Sequence, residues 1–298
     1  LDRLAQLDFH LVAASRDFGA VSPNVRRFGI DRLDGGTEWR DALLDVACVI
    51  HTAARVPGMD DAEHETDFRT VNVDGTLNLA RQAADAGVRR FVFLSSIKVN
   101  GDETMSNRPF VADDAPAPVG PYGITKLEAE RRLMDLAGSS GMDVVIIRPP
   151  LVYGPHVKAS FLRIMRSLDR GLALPFGLVR NKRSLVGVDN LVGLITTCIS
   201  HPGAANQVFL VSDDEDLSTP DLLRRLGRAM GKPARLVPVP LSAIESGDSL
   251  IGKPELVRRL CRNLHVDISK TQHVLGWAPT ISVDDGMRRT ATWYRVSA

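Results

Sequence analysis

Tyr122-Gly123-Ile124-Thr125-Lys126 places a phenol and an ammonium four residues apart, on one face of any helix that carries them. A cation held near a phenol favours the phenolate, so a tyrosine whose pKa starts at about 10 is drawn toward neutrality. Such a tyrosine can pass a proton to or from a sugar or alcohol oxygen while a nicotinamide carries the hydride. Taken alone, the spacing equally fits an exposed aromatic beside a solvated lysine. Ser96 adds a hydroxyl at the end of a strand-like run and could donate to the same substrate oxygen. A serine at a strand end also serves as a turn former.

These groups need elements to position them. Residues 10–15, 25–30, 48–54, 91–96 and 144–148 have the short apolar patterns of strands, and 48–54 is continuous enough to suggest burial on both faces. A helix is expected over 67–86 with Gly87 as its cap, and another from Tyr122 to about residue 137. Strand–helix alternation of this kind implies an α/β fold with a doubly wound parallel sheet, whose ligands bind at the carboxyl ends of the strands. Ala53-Ala54, Ser95-Ser96 and the Arg148-Pro149-Pro150 turn fall at such ends. The small side chains of Ala53 and Ala54 would let a ligand approach the backbone. Beyond residue 150 helices are expected over 160–170, 190–200 and 219–230, with strand patterns at 184–188 and 207–211 that could return to the first sheet. The expected division is a dinucleotide-binding domain over 1–155, with returning segments near 183–213, and a smaller substrate domain over 156–298.

The 298 residues are enough for one large or two interlocked domains, and 44% apolar with 24% charged residues is a soluble globular profile. Lys plus Arg is 37 against 36 Asp plus Glu, so charge gives no reason to expect nucleic acid or an anionic membrane as partner. Three scattered cysteines, Cys48, Cys198 and Cys261, carry neither a disulfide framework nor zinc-ligand spacing, which suits a reducing cytoplasm. No apolar run reaches the length of a membrane span. The start, Leu1-Asp2-Arg3-Leu4, has no secretory pattern and no initiator Met, and an upstream portion is expected.

Ser96, Tyr122 and Lys126, in this order and on these elements, resemble the catalytic triad of the short-chain dehydrogenase/reductase superfamily. Further stretches resemble its extended branch of nucleotide-sugar epimerases, dehydratases and reductases. They are Val49-Ile50-His51-Thr52-Ala53-Ala54, Val71-Asn72-Val73-Asp74-Gly75-Thr76, Arg148-Pro149-Pro150-Leu151-Val152-Tyr153-Gly154-Pro155 and Arg183-Ser184-Leu185-Val186-Gly187-Val188-Asp189-Asn190. The tail Leu275-Gly276-Trp277-Ala278-Pro279 fits the same branch. The resemblance implies a Rossmann-like fold, a UDP-sugar substrate and a nicotinamide cofactor. It makes Tyr122 the general acid/base, Lys126 the ligand of the nicotinamide ribose, and Ser96 the donor that orients the substrate. It places Asn72, Ala53, Ala54 and Pro149 near the cofactor, Asp31 at the adenine, and Arg183 at the substrate diphosphate, with Arg259 a second candidate for that charge. Family members often dimerise, so a homodimer is an expectation. At the end of the 10–15 strand the order Ser15-Arg16-Asp17 puts a basic residue first, which suits the 2′-phosphate of NADP, while Asp17 leaves NAD open.

The chain departs from this pattern where the family has a strand, a G-x-x-G-x-x-G loop and a helix that holds the pyrophosphate. No such loop occurs here, and residues 1–7 look like the back half of that helix. Lys98 and Asn100, with Pro175-Phe176-Gly177, Asn181-Lys182-Arg183-Ser184 and Leu217-Ser218-Thr219, resemble a subgroup acting on UDP-N-acetyl-6-deoxyhexoses in polysaccharide assembly. Ser160 stands where an asparagine facing the nucleotide is expected, and His156 where glycine is common. Ile97-Lys98 lacks the acidic pair that a dehydratase uses to remove a C5 proton. The expected activity is therefore hydride transfer at C4 of a UDP-sugar, as epimerase or 4-keto-reductase. The alternatives are a non-catalytic sensor or scaffold that kept the fold, or an inactive fragment.

Overall fold

The structure, a computed structural model, describes residues 2–7, 9–19, 22–57, 65–246 and 260–297. In chain order its strands are β1 (Leu11–Ser15), β2 (Val25–Gly29), β3 (Cys48–His51), β4 (Arg90–Leu94), β5 (Asp143–Arg148), β6 (Leu151–Tyr153), β7 (Ala173–Leu174), β8 (Leu185–Gly187), β9 (Gln207–Leu210) and β10 (Arg235–Leu236). The helices are α1 (Asp2–Ala5), α2 (Glu65–Arg69), α3 (Thr76–Asp85), α4 (Gly120–Ser140), α5 (Ala159–Asp169), α6 (Val188–Ser200), α7 (Thr219–Met230), α8 (Leu241–Ser246), α9 (Ser269–Leu275) and α10 (Val283–Ser297). The chain forms two compact units: 1–99 with 116–148 and 194–209, and 100–115 with 149–193 and 210–298.

In the first unit β1 and β2 form a parallel pair, and β3, β4, β5 and β9 form a sheet in that spatial order. β3, β4 and β5 run parallel, with His51 opposite Phe93 and Phe93 opposite Ile146. Side chains alternate across a strand, so Phe91 and Phe93 of β4 share a face with Val144 and Ile146 of β5. Onto it α4 sets Ala129, Leu133 and Ala137 at helical spacing, and α3 sets Leu77, Ala80 and Ala83. Val92, Val145 and Ile147, on the other face, are buried as well. The central strands are thus covered on both sides, as parallel sheets require. The Arg90 guanidinium donates to the carbonyls of Cys198, Ile199 and His201 at the end of α6, satisfying a helix terminus with a cation.

The second unit holds two parallel pairs, β6–β8 and β7–β10, and its own apolar core. A buried polar cluster ties it together. The Tyr153 hydroxyl donates to Asp213 at 2.7 Å, and Asp213 also accepts from the Gly187 N–H and from Asn190. Asn190 in turn accepts from the Thr280 and Ile281 N–H groups.

Three expectations change. The helix expected over 67–86 is interrupted by a π-turn over Thr70–Gly75. There the chain approaches the loop after β2 so closely that a Cβ on Gly75 would lie 2.9 Å from the Leu33 backbone. β3 is only half-buried over most of its length, because it ends its sheet and lacks a strand on one side among the described residues. Of the two patterns expected to return to the first sheet, residues 207–211 do so as β9, whereas 184–188 pair as β8 with β6.

Candidate active site

Two helical features bring the first unit's polar residues together. Gly123, in the first turn of α4, lets that turn rest on the loop after β4: a Cβ there would lie 2.8 Å from the Lys98 carbonyl oxygen. The loop is a short 3-10 turn over Ile97–Val99, opened by Ser96, whose Oγ accepts from the Lys98 N–H at 3.2 Å. With the two backbones this close, the Ser96 hydroxyl stands near enough to the Tyr122 phenol to favour its ionised form. One turn further along α4, Lys126 is 1% exposed. Its ammonium donates to the Leu94 carbonyl at 2.7 Å and lies 3.9 Å from the centre of the Phe93 ring.

The electrostatics differ from the sequence expectation. The phenol of Tyr122 is held above its usual pKa because burial disfavours the phenolate, and the nearby Ser96 hydroxyl only partly offsets this. Lys126, expected to lower that pKa, is engaged with β4. Burial brings its own pKa down to about 7, against the pull of the Glu130 carboxylate. His51, at the end of β3, stacks on Phe93 with centroids 5.9 Å apart and bonds to Thr76 at 2.9 Å. Burial, aided by the Lys126 charge, takes its pKa down to about 3, so it is neutral.

Asn72 sits on the π-turn and is fully buried. Its amide accepts from the Arg55 N–H at 2.8 Å and donates to the Arg55 carbonyl and to Thr125. It uses both amide donors on the protein, tying the loop after β3 to α4. Ala53, on that loop, is exposed and Ala54 half-buried. Arg16 is exposed just beyond β1 and makes no ion pair with another described residue, while Asp17 accepts from the Gly19 N–H at 3.3 Å within its own turn. Asp31 is exposed beyond β2. Pro149 follows β5 directly and is buried.

In the second unit, the backbone of Arg183 exchanges two hydrogen bonds with Leu217, and its guanidinium donates to the Arg262 carbonyl at 3.1 Å. Asn181 anchors this stretch through Thr219, Leu260 and Arg262. Ser160 lies in the first turn of α5. Arg259 lies outside the described residues. Two residues given no role in the sequence reading, His51 and Glu130, are buried within range of the Lys126 charge. Glu130 was open to detection, since it continues the four-residue ladder of Tyr122 and Lys126. No group of metal-ligating side chains occurs among the described residues, nor a helix long and apolar enough to cross a membrane.

Comparison with known proteins adds to this geometry. The profile of the NAD dependent epimerase/dehydratase family matches residues 1–212. A UDP-glucose 4-epimerase of Vibrio cholerae is 49% identical over 267 residues, covering 89% of this chain and 81% of its own length. Among solved structures, a UDP-glucose 4-epimerase of Thermotoga maritima with UDP-glucose has a TM-score of 0.79 at 20% identity, over 99% of this chain and 94% of that one. A UDP-glucuronic acid 4-epimerase from Bacillus cereus in complex with NAD has a TM-score of 0.78 at 19% identity, over 99% and 93%. At that identity the structural likeness shows the fold, a Rossmann-like α/β architecture.

Proposed function

We propose that this chain, which belongs to the NAD dependent epimerase/dehydratase family, moves hydride at C4 of a UDP-sugar and so inverts that centre as a nucleotide-sugar 4-epimerase. The observation that carries the reading is the grouping of Ser96 at the carboxyl end of β4 with Tyr122 in the first turn of α4, where Gly123 rests on the Lys98 carbonyl, and Lys126 one turn further along. The 49% identity to a UDP-glucose 4-epimerase supports the substrate class. Lys98, Asn100 and the stretches around Phe176 and Asn181 favour a UDP-N-acetyl-deoxyhexose, a precursor of surface polysaccharide. They equally suit the second reading, reduction of a 4-keto sugar.

The residues fit one half of a nicotinamide dinucleotide. The exposed Ala53 leaves the backbone after β3 approachable, and Asn72 holds that loop in place. Lys126 would hold the nicotinamide ribose. Arg16, exposed while Asp17 is occupied by its own turn, supports a 2′-phosphate and hence NADP. No glycine-rich loop is present to cradle the pyrophosphate. When bound, the cofactor supplies the hydride acceptor and donor.

Tyr122 takes the proton of the C4 hydroxyl as it becomes a ketone and returns it afterwards. Ser96 donates to the same oxygen and keeps it beside the phenol. Lys126, as an ammonium, lowers the cost of the phenolate. Arg183 offers a planar set of donors to the substrate diphosphate.

UDP-sugars and UDP-4-keto-sugars incubated with millimolar NAD or NADPH test the reading. Interconversion of C4 epimers without net cofactor consumption is expected, and consumption of one NADPH per keto sugar selects the reductase. Tyr122→Phe should lower kcat by roughly 10²–10⁴-fold. Unchanged turnover in that variant would remove the acid/base assignment and favour a non-catalytic protein.

A further inference from the structure

One turn beyond Lys126 on α4, the Glu130 side chain is almost completely buried, and its carboxylate has partners on two strands. The Ser95 hydroxyl donates to Oε1. Arg148 donates twice, from Nε to Oε1 at 3.0 Å and from Nη2 to Oε2 at 2.6 Å. Arg148 is itself 4% exposed. Ser95 immediately precedes Ser96 at the end of β4, and Arg148 ends β5. One carboxylate therefore joins the helix that carries Tyr122 and Lys126 to the strand ends that flank them.

We propose that Glu130 is a positioning residue for Lys126 and Ser96, fixing α4 against the ends of β4 and β5 so that the ammonium stays on the Leu94 carbonyl and the serine on the phenol. The proposal rests on the catalytic reading of Tyr122 and Lys126. Burial alone would favour a neutral lysine, and the groups around it show what opposes this. From β4 come the Leu94 carbonyl and the face of Phe93. From β3 comes His51, neutral and unable to supply negative charge. From β5 comes Arg148, whose guanidinium is committed to Glu130. On α4 itself the phenol of Tyr122 is protonated, because burial raises its pKa. Glu130 is thus the anion that favours the charged lysine.

A merely structural ion pair predicts a different outcome when both charges are removed. Glu130→Gln alone strands the Arg148 charge in the interior, so the paired variant Glu130→Gln/Arg148→Met is the main test. In the cofactor-free protein, an NMR titration of isotope-labelled lysine side chains, with the matching Lys126→Met protein used to assign the signal, reads the Lys126 ammonium directly. Expected in the paired variant are a thermal midpoint within about 5 °C of the parent and a Lys126 titration moved down by ~1 pH unit. With millimolar cofactor and a UDP-sugar, kcat should fall at least ~10-fold while KM changes little. Glu130→Asp, which keeps the charge, should lie between parent and paired variant. A folded paired variant with parental kcat and parental Lys126 titration overturns the proposal. Should it not fold, Ser95→Ala removes a single anchor and takes its place. A lower kcat and shifted titration at an unchanged midpoint then support the role, and parental values refute it. If the parent turns over no UDP-sugar, the functional reading fails, while the titration still decides the role of Glu130.

Discussion

Lys126 is a charge brought into the protein with one carbonyl and one aromatic face in place of water. Its pKa, down to about 7 through burial, brings its change of charge to neutrality. The folded value lies below the unfolded one, so the protonated lysine opposes folding. This opposition is fully present below about pH 7 and is relieved as pH rises toward the unfolded value. Lys126→Met should therefore raise the thermal midpoint at pH 6.5 by roughly 3–5 °C, with the difference shrinking toward pH 9.5, while abolishing turnover. A midpoint difference independent of pH would show that the lysine is not a buried titrating charge. The type and spacing of Tyr122, Lys126 and Ser96 were open to reading in the sequence because a helix face and a strand end follow from local pattern. The environment of Lys126 was not. Glu130, one turn along the same helix, follows from the four-residue spacing, but Phe93 and Leu94 meet the lysine only once β4 and α4 are packed, and no local periodicity announces that contact.

At the scale of elements, the approach of α4 to the loop after β4 turns on a missing Cβ. In Gly123→Ala the new atom would lie 2.8 Å from the Lys98 carbonyl oxygen, a backbone atom that cannot swing aside like the end of a flexible side chain. The first turn of α4 must then lift away from Ser96. The expected cost is about 1–3 kcal/mol of stability, with a fall in kcat larger than that loss explains. Comparing the chemical denaturation midpoint with kcat at a temperature where the variant is fully folded checks this, and equal activity would mean that Tyr122 and Ser96 tolerate the displacement. Strand positions were readable because the apolar runs at 91–96 and 144–148 are short and bounded by turn residues. The π-turn over Thr70–Gly75 was not, since Thr70, Val71, Asn72 and Val73 continue a plausible helix. The interruption arises from tertiary contact, with Asn72 held by Arg55 and Thr125 and Gly75 pressed onto Leu33. π-turns of this kind cluster at functional sites, which accords with its place beside the loop after β3.

For the whole molecule, the two sheets of the first unit decide how a dinucleotide can be held. β1 and β3 each end a sheet, and among the described residues neither has a strand on its outer edge. The proton-transfer groups are assembled on β4 and α4, whereas the residues that would distinguish a 2′-phosphate lie just beyond β1, where Arg16 is exposed and Asp17 accepts from the Gly19 N–H of its own turn. A charge-assisted hydrogen bond from an exposed arginine to that phosphate is worth about 1.5–3 kcal/mol. With a tenfold change in affinity for every ~1.4 kcal/mol, NADP should bind at least ~10-fold more tightly than NAD. Arg16→Ala should abolish that preference without altering the binding of NAD. Isothermal titration with each dinucleotide reads both quantities, and equal affinities of the parent for NAD and NADP would remove this role of Arg16.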